Sequence, residues 1–137
     1  MRNIDTLIIH CSATPPNMDI GVTQIRDWHV NGNGWSDVGY HYVIRRNGSV
    51  EQGRPVERSG AHARGHNAAS IAACLVGGVD GNQHPVSNFT KAQWSSLSAL
   101  VDEILQDHGP LRVIGHRDVD PGKSCPCFDV GAWHGQA

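Results

Sequence analysis

The sequence predicts a single α/β domain with a central mixed β-sheet flanked by helices. Short apolar runs of strand length alternate along the chain with segments whose apolar residues recur at helical spacing. An Asn-Gly pair between two runs of β-forming residues predicts a hairpin, so the sheet is not wholly parallel. The 137 residues correspond to about one domain, and no linker or repeat divides them. We therefore expect residues 1–137 to form one domain.

The first predicted elements are a strand and a helix. Residues 6–10 form an apolar run before a Pro-Pro loop, which is typical of a buried strand that ends at a polar edge. Apolar residues at helical spacing then begin at Val22, and Gly32 interrupts the pattern. Together these segments predict a strand followed directly by a helix.

The predicted hairpin follows this helix. Its first strand lies within Tyr40 to Arg46, and we expect Asn47-Gly48 to form a two-residue turn because both residues tolerate positive φ. Alternation along the strand would place Tyr40 and Tyr42 on the same face.

The second half of the chain continues the alternation of strands and helices. A capping box at Thr90 and Gln93 predicts the start of a helix, and Gly109 predicts its end. The other expected elements are a long loop at 53–69, a central strand at 71–76, a strand at 111–115 and a short helix near 129–133. Loops as long as 53–69 are often functional.

The composition excludes several classes of protein. A net charge of −2 provides no general attraction to DNA, RNA or anionic membranes, so we expect no nucleic-acid partner. No stretch approaches the ~20 apolar residues of a membrane span, and we recognise no signal peptide, so we expect no membrane insertion. We expect the chain to be made and to fold in a reducing cytoplasm, in which its cysteines do not form disulfides. The 9 histidines and 4 cysteines are unusually many, and both residue types bind zinc.

Two histidines follow apolar strands, which indicates a metal site at the strand ends. His10 ends the first apolar run, and His116 follows the run at 111–115. Cys125 lies in a turn-rich segment that can fold back toward His116. Two imidazoles and one thiolate match the three protein ligands of catalytic zinc, whereas a structural site would need a fourth. Cys127 is the alternative fourth ligand, although the single residue between the two cysteines would strain the geometry.

Several motifs occur in a fixed order over nearly the whole chain. They are His10-Cys11-Ser12-Ala13-Thr14, Asp37-Val38-Gly39-Tyr40-His41-Tyr42-Val43-Ile44, Gly60-Ala61-His62-Ala63, Leu75-Val76-Gly77-Gly78, Gly115-His116-Arg117-Asp118-Val119 and Lys123-Ser124-Cys125-Pro126. In this order they resemble the zinc-dependent N-acetylmuramoyl-L-alanine amidases, the family that includes the peptidoglycan recognition proteins. The resemblance is greatest to the short phage lysozymes with amidase activity.

The resemblance implies one zinc ion per chain, bound by His10, His116 and Cys125. Tyr40 and Lys123 match the catalytic positions of the family. The implied zinc site agrees with the one predicted from the two strand-end histidines and Cys125, in a groove at the ends of the strands.

The resemblance also implies a substrate, peptidoglycan, cleaved between N-acetylmuramic acid and L-alanine by a phage endolysin. His62 matches a position that lines the substrate groove. Arg64 lies in the same loop, and we expect its guanidinium to bind stem-peptide carboxylates.

Three other functions remain as alternatives. The first is a peptidoglycan-binding protein without activity, the second is a regulator of a phage RNA polymerase, and the third is a cytosolic amidase that recycles wall fragments. Relatives that only bind peptidoglycan typically lack the cysteine ligand, so Cys125 favours an enzyme. We expect a monomer that stays in the cytoplasm of the infected bacterium until the membrane is opened.

Overall fold

The computed structural model describes residues 2–135, which form a five-stranded mixed sheet and its flanking helices. In chain order the elements are β1 (Thr6–Cys11), α1 (Val22–Asp27), β2 (Tyr42–Ile44), β3 (Val50–Gln52), β4 (Ser70–Leu75), α2 (Lys91–His108), β5 (Arg112–Gly115) and α3 (Val130–Gly135). The strand order is β3-β2-β4-β1-β5, and only β3 is antiparallel to its neighbour. The predicted mixed α/β fold is confirmed. No helix in this part of the chain has the length and apolar character needed to cross a membrane.

The two central strands, β1 and β4, are buried at every residue. Because strand side chains alternate between faces, Leu7 and Ile9 point toward the cluster that contains the apolar stripe of α2 and part of α3. His10, between Ile9 and Cys11, therefore lies on the opposite face. That face carries a second apolar cluster with α1 and Cys74, the β4 partner of His10.

Helix α2 begins and ends as its local sequence predicts. Thr90 Oγ1 accepts the Gln93 N–H at 3.1 Å, and Gln93 Oε1 accepts the Thr90 N–H at 3.0 Å. Phe89 and Trp94 make an edge-to-face contact across the cap, with ring centroids 5.6 Å apart. Gly109 ends the helix at a φ of +82°. These features are determined by residues within one turn of the helix end.

The hairpin is confirmed, but its predicted two-residue turn is wrong. Gly48 N–H donates to Arg45 O at 2.8 Å, and Arg45 N–H donates to Ser49 O at 2.9 Å. Gly48 has a φ of +90°, whereas Asn47 is not among the residues with positive φ. The connection is therefore a three-residue loop with a single left-handed residue. The Asn47 side chain instead accepts the Ser49 N–H at 2.9 Å.

The prediction that Tyr40 and Tyr42 share a face is also wrong. Tyr42 packs against the α2 cluster, whereas Tyr40 packs against the cluster on the opposite face. Regular pairing begins only at Tyr42, because just before it the His41 ring Nδ1 accepts the Ala72 N–H at 3.0 Å. This interruption of the alternation places Tyr40 on the same side of the sheet as His10.

Candidate active site

Three side chains with metal-binding atoms meet at the carboxyl ends of β1 and β5. One ligand atom from each of His10, His116 and Cys125 lies within 4.8 Å of the other two. The distance from His10 Nδ1 to Cys125 Sγ is 3.9 Å. The two histidines come together because β1 and β5 are parallel neighbours, so their carboxyl ends lie at one edge of the sheet. In residues 2–135 this is the only such group of three or more His, Cys, Asp or Glu side chains.

Backbone hydrogen bonds hold the loop after β5 against this cluster. Arg117 N–H donates to Cys125 O at 2.8 Å, and Lys123 N–H donates to Asp120 O at 2.9 Å. The Cys11 N–H donates to Cys125 Sγ at 3.1 Å. The turn-rich segment therefore folds back toward His116 as the sequence predicts.

The donor set fits a catalytic zinc ion. Zinc binds imidazole nitrogen at about 2.0–2.1 Å and thiolate sulfur at about 2.3 Å, so donors 3.9 Å apart can share one ion. Cys127 lies outside the cluster of donors, because its Sγ donates to Gly78 O at 3.2 Å and is 4.0 Å from Cys11 Sγ. A zinc ion held by three protein donors would keep one position for water or substrate.

Burial keeps the imidazoles of this region neutral, which is the form that binds metals. His10 is only 1% exposed, and burial lowers its pKa well below the usual value, with His62 and His116 lowering it further. Burial also lowers the pKa of His116, and it lowers the pKa of His62 to about 3. The site is thus prepared to bind a cation without first releasing protons from histidine.

An open groove of about 440 Å³ lies beside the cluster. It is lined by Trp35, Ala61, His62, Ala63, Arg64, Asn67, His116, Asp120 and Lys123. Four of the residues predicted from the sequence to belong to the site therefore share one groove. The side chains of Arg64 and Lys123 are exposed there. His10, Tyr40 and Cys125 do not line the groove, but buried His10 contacts two residues that do.

Tyr40 packs directly against a candidate ligand. Its ring centroid is 5.0 Å from that of His10 and 5.5 Å from that of His29. Burial, reinforced by the neighbouring thiols of Cys74 and Cys125, raises the pKa of Tyr40 well above its ordinary value. The phenol therefore stays protonated at neutral pH and can act as a hydrogen-bond donor.

Asn67 and Ser70, which follow His62 in the chain, hold the His62 loop in place. The sequence analysis assigns neither residue a role. Asn67 Oδ1 accepts the N–H groups of His62 and Ala63 at 2.9 and 3.0 Å. Ser70 Oγ is 3.0 Å from His62 Nε2. Asn67 follows His62 by five residues in the loop, and Ser70 follows it by eight at the first position of β4. No periodic pattern in the sequence connects either residue with His62.

His41, a neighbour of His62, makes the stability of the fold depend on pH. Its ring is fully buried, and its Nε2–H donates to Arg58 O at 2.8 Å because Nδ1 already accepts a backbone N–H. Burial lowers the pKa of His41 to about 4. The hydrogen bond to the Arg58 carbonyl raises the pKa, whereas the charges of Arg2 and Arg54 lower it further. The unfolded chain has a histidine pKa of about 6.5 and binds this proton first. The contribution of neutral His41 to the free energy of unfolding is therefore complete above pH ~6.5 and is lost as the pH falls through about 4.

We expect a His41→Asn variant to show a shallower acid dependence than the wild type. Asparagine keeps an acceptor for the Ala72 N–H but does not titrate. The stability advantage of the wild type should shrink by about 3 kcal/mol between neutral pH and pH ~4. Urea unfolding of both proteins at several pH values measures this difference. Parallel curves would show that His41 does not carry the effect.

The fold and the site together define the class of protein: a small α/β domain with a candidate zinc hydrolase centre. A profile of the N-acetylmuramoyl-L-alanine amidase family matches residues 1–128. The endolysin of Klebsiella phage KP32 is 46% identical over 127 residues, covering 93% of this chain and 83% of the relative. The endolysin of Escherichia phage T7 is 45% identical over 132 residues, covering 96% and 86%.

A solved structure of the same family has a similar fold. The N-acetylmuramoyl-L-alanine amidase LysC from Clostridium intestinale superposes with a TM-score of 0.81 at 27% identity, covering 97% of this chain and 83% of that one. The chain therefore belongs to the N-acetylmuramoyl-L-alanine amidase family, as its motifs indicate, and its relatives place it among the phage endolysins.

Proposed function

We propose that this amidase binds zinc through His10, His116 and Cys125 and hydrolyses the amide between N-acetylmuramic acid and L-alanine of peptidoglycan. The observation that carries the proposal is the three-donor cluster beside an open groove. When bound, zinc supplies a Lewis acid that activates water and polarises the scissile carbonyl. The protein holds the donors in place by burying His10 and by donating the Cys11 N–H to Cys125 Sγ.

Lys123 is proposed to stabilise the negative charge that develops on the carbonyl oxygen. Lys123 is exposed, lines the groove and lies in the same loop as the proposed ligand Cys125. A cation already in position costs no reorganisation when the charge appears, and this makes such groups effective. Tyr40, whose ring packs against His10, is proposed to donate a hydrogen bond from its phenolic oxygen during the reaction.

The groove is proposed to bind the stem peptide. Arg64 lines it as an exposed cation suited to peptide carboxylates, and His62 lines the same groove. Asp120 adds a carboxylate to the lining of the groove, which favours amide or ammonium groups of the ligand. The arrangement suits a peptide with both charges.

The biological role that we propose is lysis of the bacterial host by a monomeric endolysin. The endolysin relatives, each covered to more than four fifths of its length, support this role. The protein would be made in the cytoplasm of the infected cell and would reach the wall after the membrane is opened.

The test is zinc-dependent release of peptides from purified peptidoglycan. We expect about one zinc ion per chain and products that begin with a free L-alanine amino group. Removing zinc with a chelator should abolish release, and adding zinc back should restore it. Zinc-loaded protein that leaves the wall intact would contradict the proposal, and binding without cleavage would support the binding-protein alternative. Preference for soluble wall fragments over intact wall would favour a recycling amidase.

A further inference from the structure

A line of hydrogen bonds joins the start of β4 to the end of β1. Ser70 Oγ donates to His66 O at 2.7 Å and lies 3.0 Å from His62 Nε2. On the other side of the same ring, His62 Nδ1 is 2.8 Å from His10 Nε2. Ser70 and His10 project from the same face, because Ser70 pairs with Thr6 and β1 alternates from there to His10. Both residues are 1% exposed, so water does not compete for these bonds.

The direction of every proton along this line follows from Ser70. A serine hydroxyl has one proton, and the His66 carbonyl receives it. Ser70 Oγ can then only accept from the ring, so His62 carries its proton on Nε2. A neutral imidazole has a single N–H, which makes His62 Nδ1 an acceptor. His10 must therefore donate from Nε2, and its Nδ1 keeps a free lone pair.

We propose that Ser70 is a positioning residue for the metal centre, because through His62 it holds His10 in the tautomer whose Nδ1 can bind zinc. The inference rests on the proposed zinc site. The His10 nitrogen left free, Nδ1, is the one 3.9 Å from Cys125 Sγ. Partners that orient metal-binding histidines in this way typically change metal affinity or activity by about 10–100-fold when removed.

Removing the Ser70 hydroxyl takes away the acceptor for the His62 Nε2–H. Neutral His62 can then move its proton to Nδ1 and donate to His10 Nε2. In that arrangement His10 carries its own proton on Nδ1, where it blocks the metal. A Ser70→Ala variant therefore loses the bias between two tautomers, while the three zinc donors stay unchanged.

The first test compares zinc affinities by competition with a chromophoric chelator. We expect Ser70→Ala to bind zinc about 10–100-fold more weakly than wild type. Ser96→Ala is the matched control, since Ser96 Oγ also donates to a backbone carbonyl, Gly48 O at 2.6 Å, outside the cluster. It should bind zinc like the wild type. Ser70→Thr keeps the hydroxyl and should restore most of the affinity. Wild-type affinity in Ser70→Ala would overturn the proposal.

The second test reads the tautomer directly in the zinc-free protein, by two-bond proton–nitrogen NMR of the histidine rings. We expect His10 to be protonated on Nε2 in the wild type and to be a mixture in Ser70→Ala. An Nδ1-protonated His10 in the wild type would overturn the proposal, even if Ser70→Ala does not fold. Neither test uses peptidoglycan. The expected affinities and tautomers in a protein that leaves walls intact would thus support the role of Ser70 and contradict only the proposed function.

Discussion

Replacing Cys125 by alanine is expected to abolish zinc binding and peptidoglycan hydrolysis together. The substitution removes one of three protein donors, and the cluster in residues 2–135 contains no other side chain that could replace it. The loss of zinc affinity should exceed the ~10–100-fold that is typical of changes around the ligands, because here a ligand itself is removed. Metal analysis after dialysis, a chelator competition and an assay of peptide release measure the two effects on the same preparation.

Cys127→Ala is the matched control for this experiment. Cys127 is in the same loop, but its thiol donates to Gly78 O and does not belong to the cluster. We expect its loss to leave zinc content and hydrolysis close to wild type. If Cys127→Ala loses zinc as completely as Cys125→Ala does, the cluster has a fourth protein ligand and the site is structural. Full activity in Cys125→Ala would refute the ligand assignment.

Replacing Lys123 by alanine is expected to lower kcat by about 10²–10³-fold while zinc content stays unchanged. The ammonium lines the groove but belongs to no group of metal donors, so its loss should affect the charged transition state and not the metal. Steady-state hydrolysis of a soluble muropeptide separates kcat from KM, and metal analysis reports the zinc.

Lys91, the other lysine of the chain, provides the control. It is exposed at the first turn of α2 and is not among the residues that line the groove. Lys91→Ala should therefore match wild type in kcat and in zinc content. A Lys123→Ala variant with normal kcat would remove the proposed role of the ammonium. One that also lost zinc would show that Lys123 acts by holding the loop of Cys125.

Much of the fold could be predicted because its signals are local. The capping box at Thr90, the apolar stripe of α2 and the glycine that ends it all act within a few residues. The buried strands β1 and β4 each contain a continuous apolar run, Leu7–Ile9 and Ile71–Leu75, as expected for strands covered on both faces. Local patterns could not show the turn at Gly48 or the break at His41. An Asn-Gly pair fits loops of two or three residues, so it does not determine the length of the turn. The break at His41 depends on β4, because the His41 ring accepts the Ala72 N–H.

The candidate donors of the site could also be predicted from the sequence alone. The two strand-end histidines, Cys125 and the order of the surrounding motifs suffice to predict the donors and the family. Only the tertiary structure decided that Tyr40 lies on the side of His10 and that Cys127 lies outside the cluster. It also decided that Ser70 reaches His10 through His62. Residue types and periodicity determine which groups are available, whereas hydrogen bonds between segments far apart in the chain exist only once the sheet and its loops have packed.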